Sequence, residues 1–283
     1  MGLKYCAPLP VLCLAGSLIA WPQTGPDARV PPAQAVVETF QEQSESLTTD
    51  RAEYTIATEV VGTGVLQLET GFLLESMRAA RVIHAPVPWI SVGLTRRLEL
   101  RVGGDGALWE RTGAAGAYER ASGLSDMGVE LKWKLLDEHG RLPALAIAPS
   151  LSSPVGRSGF SSGAYDPTLK LAWGKGLLHG FRASGNLNVS SLTEDRRFLQ
   201  RAVTLCIEHN LPHGLVGYWE NYTLWPRERG GERETMWNTG LFHAIGKNAQ
   251  IDVEVARCFA SGVSHWYLGT GFVIRRPGAF WRR

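Results

Sequence analysis

From residue 64 to residue 276 apolar and polar side chains alternate along the chain with a period of two. Successive Cβ atoms of an extended chain point to opposite sides, so this period predicts strands with one apolar and one polar face. Between Val65 and Glu75, Leu66, Leu68, Thr70, Phe72 and Leu74 share a face, while Gln67, Glu69, Gly71 and Glu75 share the other. Ile90, Val92 and Leu94 alternate with Ser91, Gly93 and Thr95. After a turn at Arg96-Arg97, Leu98, Leu100 and Val102 alternate with Glu99, Arg101 and Gly103. Met127, Val129, Leu131, Trp133 and Leu135 oppose Gly128, Glu130, Lys132 and Lys134. The pattern returns near 144–153, 168–173, 181–189, 200–208, 250–255 and 265–274, with ambiguous faces near 214–222 and 235–244. About twelve segments result, each close to the roughly nine to eleven residues that a tilted strand needs to cross a bilayer.

The predicted connections alternate in length. Those near 96, 137–143, 174–178, 209–213 and 245–248 are short, and those near 76–86, 104–125, 154–165, 191–196, 223–234 and 258–264 are mostly longer. Short periplasmic turns and longer external loops are the usual asymmetry of outer-membrane barrels. Charges stand in mid-strand on the polar faces: Glu99 with Arg101, Glu130 with Lys132, Asp252 with Glu254. A soluble β protein would turn these outward into water. A membrane barrel must turn them inward, because Lys or Arg facing lipid near mid-bilayer costs about 2–4 kcal/mol. Alternation alone does not distinguish the two orientations.

The N-terminus favours export. Lys4 precedes an apolar stretch from Ala7 to Trp21, broken by Pro8, Pro10, Gly16 and Ser17. It is too short to span a bilayer as a helix and suits a secretory signal. The expected organisation is a signal peptide over 1–20, with a later small-x-small match at Ala33-Gln34-Ala35 as an alternative cleavage point. A periplasmic linker over 21–63, a barrel over 64–276 and a C-terminal tail over 277–283 follow. Cleavage removes Cys6 and Cys13, and the remaining Cys206 and Cys258 match no disulfide framework or metal spacing. Tryptophans such as Trp89, Trp133, Trp173, Trp219 and Trp266 fall within or near the ends of predicted strands, where interfacial girdles form. Charge adds little: 29 Lys and Arg against 27 Asp and Glu give no reason to expect a nucleic-acid partner. A mean hydropathy near zero is what alternation produces.

Several segments together resemble an outer-membrane family, the MetA-pathway of phenol degradation family. They are Thr49-Asp50-Arg51, Leu66-Gln67-Leu68-Glu69-Thr70-Gly71, Gly93-Leu94-Thr95 and Leu98-Glu99-Leu100-Arg101. Gly123-Leu124-x-Asp126-x-Gly128, Lys132-Trp133, Pro154-x-Gly156, Asp166-Pro167, Asn186, Glu220, Gln250-x-Asp252 and Gly269-x-Gly271 complete the series. Ala52 departs from the proline usual after Thr-Asp-Arg, and Pro277 to Arg283 extend past the last strand. The resemblance implies an outer-membrane location and a pore or transport role.

The expected fold is therefore an all-β, transmembrane, antiparallel up-and-down barrel in the bacterial outer membrane. Its inward side chains would include Glu69, Glu99, Arg101, Glu130, Lys132, Lys170, Arg182, Asn186, Glu220, Asp252 and Glu254. These are either a structural ion-pair network or the wall of a pathway for a small polar or aromatic solute. Expected partners are outer-membrane lipid, that solute, and the barrel-assembly machinery during insertion; no cofactor, metal or catalytic residue is expected. Two other classes are open. One is a barrel hydrolase acting on lipid, for which Ser261 and His265 are the nearest approach to a nucleophile and base. The other is a soluble secreted β protein with its faces reversed.

Overall fold

The computed structural model describes residues 47, 49–51, 54–114, 117–259 and 264–280. The expected signal peptide lies outside the described residues. Among the described residues, fifteen strands fill twelve positions around one closed antiparallel wall. The first position is β1 (Leu66–Ser76). The second is shared by β2 (Ala80–His84) and β3 (Trp89–Gly93), the third by β4 (Leu98–Gly104) and β5 (Ala107–Ala114), the fourth by β6 (Ala117–Leu124) and β7 (Met127–Leu136). Eight unbroken strands follow: β8 (Ala144–Ser153), β9 (Asp166–Gly176), β10 (Phe181–Thr193), β11 (Arg197–Asn210), β12 (Leu215–Trp225), β13 (Glu234–Ile245), β14 (Ala249–Cys258) and β15 (Trp266–Arg276). β15 pairs with β1 from Leu66↔Arg276 to Ser76↔Trp266, which closes the wall.

The orientation of the faces decides the class. Trp133, Leu187, Val253, Leu268 and Ile251 are exposed on the outside, whereas Glu130, Lys132, Glu220 and Asn186 are 0–1% exposed. Lys132, Glu130 and Glu220 are among the largest fully buried side chains. The buried apolar clusters are small, such as Ile56 against Ala146, Ala148 and Ala172. A water-soluble sandwich with this arrangement would expose its leucines and bury its charges at a prohibitive cost. Lipid reverses that preference, so this is a transmembrane barrel of the outer membrane.

One crease interrupts the wall. Pro86 and Pro88 lack N–H donors, so the ladder lapses between β2 and β3. The bend continues at Asp105-Gly106 and at Ser125-Asp126, tied by hydrogen bonds from Gly104 N to Pro88 O (3.2 Å) and from Ser125 N to Gly106 O (2.8 Å). Gly106 has φ +73°, and a Cβ there would overlap the Pro86 carbonyl oxygen. Above the crease, β2, β5 and β6 continue the sheet. The sequence reading takes 76–86 and 104–125 as loops, and this is corrected: both stretches contain strand. Most described side chains of β5 and β6 are exposed on both faces, from Trp109 to Gly113 and from Tyr118 to Ser122. Strands that meet no apolar layer on either side carry no period-two signal.

Candidate functional site

The inward faces of the lower half, the half in which β1 begins, surround Asp50, Arg51 and residues 54–63 of the N-terminal segment. Asp50 is the centre of the largest cluster. Its Oδ2 lies 2.6 Å from Arg101 Nη1 and 2.5 Å from Lys132 Nζ, and its Oδ1 accepts the Ala57 N–H at 2.7 Å. Arg101 also meets Glu130 Oε1 at 2.9 Å, Glu99 at 3.5 Å and Glu69 at 3.9 Å. Lys170 reaches Glu130 Oε2 at 2.8 Å. Four carboxylates and three cations thus share one mostly buried volume, each with an opposite charge nearby. Without that pairing the desolvation of each charge would not be offset.

Around this cluster the wall holds the segment's backbone. Glu220 accepts the N–H groups of Tyr54 (3.0 Å) and Thr55 (2.7 Å) and the Thr55 hydroxyl (2.6 Å). Asn186 Oδ1 accepts the Ile56 N–H at 3.0 Å, and Glu99 Oε2 accepts that of Val61 at 2.7 Å. Arg182 pairs with Glu59 at 2.9 Å, and Arg51 with Asp252 at 3.3 Å. Glu254 is tied to the wall through Asn238, whose Nδ2 lies 3.3 Å from Glu254 Oε2. A segment without secondary structure needs such partners, because its own amides have no ladder to join.

The wall also makes room. A Cβ at Gly71 or Gly271 would overlap the Arg51 guanidinium, and one at Gly93 would overlap the Gly62 carbonyl oxygen. These glycines are close-approach positions for the segment.

Of the residues singled out from sequence, Glu99, Arg101, Lys132, Arg182, Asn186, Glu220 and Asp252 contact the segment directly. Glu69 and Glu130 belong to the same network through Arg101, Lys170 through Glu130, and Glu254 through Asn238, which bonds to Glu220. Sequence reasoning misses Asp50, Arg51, Tyr54 and Glu59, because it assigns residues 21–63 to a linker. The signal was Thr49-Asp50-Arg51 together with the small residues Gly71, Gly93 and Gly271, which it recorded without a role.

At the upper end, His265 Nδ1 lies 2.6 Å from Glu234 Oε1 and its Nε2 2.7 Å from Glu75 Oε1. Glu75 also meets His84 at 3.3 Å, and Glu234 meets Arg227 at 2.7 Å. Both imidazole nitrogens of His265 face carboxylates, which leaves neither aimed at a described serine. Ser261 lies outside the described residues.

The family described as "Putative MetA-pathway of phenol degradation" matches residues 49–275. An outer membrane channel from Pseudomonas putida F1 superposes with a TM-score of 0.56 at 15% identity, covering 77% of this chain and 98% of that one. The translocator domain of the autotransporter NalP from Neisseria meningitidis gives 0.51 at 12% identity, covering 86% and 97%. At these identities the likeness is one of fold. No curated protein matches the chain.

Proposed function

The chain belongs to the MetA-pathway of phenol degradation family, and from that premise we propose that its barrel lets a small polar or aromatic solute cross the outer membrane passively. In this reading Asp50, Arg51 and residues 54–63 close the lower, periplasmic half, and passage requires the segment to shift. The observation that carries it is the mode of attachment: hydrogen bonds and ion pairs from a segment without regular structure, rather than a strand of the wall. Such contacts break without opening the barrel's own ladders. The inward charges of both signs pair with one another, so the pathway selects weakly between anions and cations. Residues 1–20 act as the export signal, residues 277–283 form a tail, and the barrel-assembly machinery and outer-membrane lipid are the partners during and after insertion.

Single-channel recording of the mature protein in planar bilayers, with a solute panel, tests this. Asp50→Asn removes a buried charge that holds Arg101 and Lys132, which weakens the segment's attachment by about 3–5 kcal/mol. The expected result is small or infrequent openings in the parent and larger, more frequent ones in the variant, with barrel migration on gels unchanged. No conductance from either protein overturns the reading.

A further inference from the structure

The segment brings a phenol ring to the wall. Tyr54 stacks on Tyr222 with ring centroids 4.4 Å apart and planes at 15°. Beneath the pair lies an apolar patch on the inward faces of β12, β13 and β14: Tyr222, Met236, Ala256 and Cys258 are all buried, and Tyr267 packs against them. The Tyr222 hydroxyl donates to the Tyr267 hydroxyl at 3.3 Å. This patch is unusual for its setting. The inward positions one step lower, Glu220, Asn238 and Glu254, are polar, and those one step higher on β13, at Glu234, are charged.

A second observation comes from further along the same wall, where only β11 separates β10 from β12. Asn188 on β10 is 6% exposed and is the next inward position above Asn186, which holds the Ile56 amide two residues after Tyr54. Its Oδ1 accepts no hydrogen bond from the described residues. A buried amide oxygen without a donor is costly and marks a place where a donor is missing. Tyr54 itself is 40% exposed, so its ring is covered on the Tyr222 side and open elsewhere.

We infer that Tyr222, Tyr267, Met236 and Asn188 form a binding site for an uncharged phenolic ring, and that Tyr54 covers its stacking face as an intramolecular stand-in while leaving Asn188 Oδ1 free. The aromatic wall takes the ring face, by offset stacking. The free Asn188 Oδ1 takes the hydroxyl proton, which distinguishes a phenol from a plain aromatic hydrocarbon. Because the Tyr54 and Thr55 amides are both held by Glu220, a solute that displaces the ring also strains the segment's attachment two atoms away. Solute and segment therefore compete, and by linkage each weakens the other's hold. This inference rests on the channel reading above for its consequence, but the site itself does not.

The probe is p-cresol, the side chain of tyrosine, with toluene as its hydroxyl-free control, titrated calorimetrically into the full-length mature protein in detergent. Tyr54→Ala vacates the site, so p-cresol affinity rises about tenfold over the parent, as expected when a site is otherwise filled most of the time. Tyr54→Ala with Asn188→Leu loses the preference for p-cresol over toluene, and Tyr54→Ala with Tyr222→Leu loses both ligands. Gel migration before and after heating confirms that each barrel is folded; if a double variant fails to fold, the Tyr54→Ala comparison decides alone. Equal p-cresol binding by the parent and Tyr54→Ala overturns the inference. Conductance without p-cresol binding leaves the channel standing and removes the site. Binding without conductance does the reverse.

Discussion

The two halves of the barrel interior solve the same problem in different ways. In the lower half, around Asp50, charges of both signs are buried and neutralise one another through a segment that is not part of the wall. In the upper half, the inward faces of β12–β14 turn apolar at Tyr222, Met236 and Cys258. Those of β9 and β10 there carry hydroxyls that bond to each other, as Thr168 does to Ser190 at 2.9 Å. The lower half is thus held together by long-range pairing and depends on every member. The upper half is held by its own neighbours and leaves an aromatic surface facing the lumen. What the difference teaches is that closure and recognition are separable here: ion pairs dock the segment, and one ring of that segment samples the surface above.

The comparison breaks hardest at Arg101. Arg101→Leu leaves Asp50, Glu69, Glu99 and Glu130 around an apolar side chain, with Lys132 and Lys170 as the remaining cations. Removing one partner from a buried ionic cluster costs about 3–5 kcal/mol. The unheated, compact form on SDS gels should be lost or should convert at a clearly lower temperature. A conversion temperature equal to the parent's would mean that the lower half does not depend on its charges. A milder test separates docking from folding. Gly271→Ala forces Arg51 away without touching any charge, so the segment loosens and conductance rises while the barrel migrates normally. Gly128→Ala, whose Cβ would meet nothing nearer than 3.7 Å, is the matched control and should behave as the parent. Equal conductance in all three proteins would detach Arg51 from closure.

Much of this is legible in the chain before any coordinates. Alternation fixes the strands wherever one face meets lipid and the other meets the interior, as at Met127–Leu135. It fails in β5 and β6, where most described side chains are exposed on both faces. The inward charges were legible because lipid forbids the alternative for Glu130 and Lys132. Their partners were not, since Asp50 and Lys132 are far apart in sequence and no local rule joins them. Tyr54 was invisible for a related reason: a single aromatic in a stretch without period carries no face, and only the closed wall shows what it stacks on.

The smallest expected effect lies outside the membrane-spanning strands, where Asp126 fastens the 154–165 loop over the crease. Its Oδ1 accepts the Gly156 N–H at 3.0 Å and its Oδ2 the Ser162 N–H at 2.8 Å, beside an Arg157 N–H bonded to Leu124 O at 2.9 Å. Burial works to raise the Asp126 carboxyl pKa, but the hydrogen bonds from Ser161, Ser162 and Gly156 outweigh it and hold the group below the usual aspartate value. A lowered folded-state pKa means that the fastening is complete above the ordinary aspartate value of about 3.9 and is lost as pH falls through the lower one. Amide exchange at Gly156 and Ser162, corrected for intrinsic rates, should therefore be equally protected at neutral and mildly acidic pH and lose protection only in strong acid. Asp126→Ala should lose it at every pH and should let trypsin cut after Arg157 faster, with the barrel's heat conversion unmoved. Protection in Asp126→Ala equal to the parent's would show that the loop is held by its backbone contact to Leu124 and owes nothing to the carboxylate.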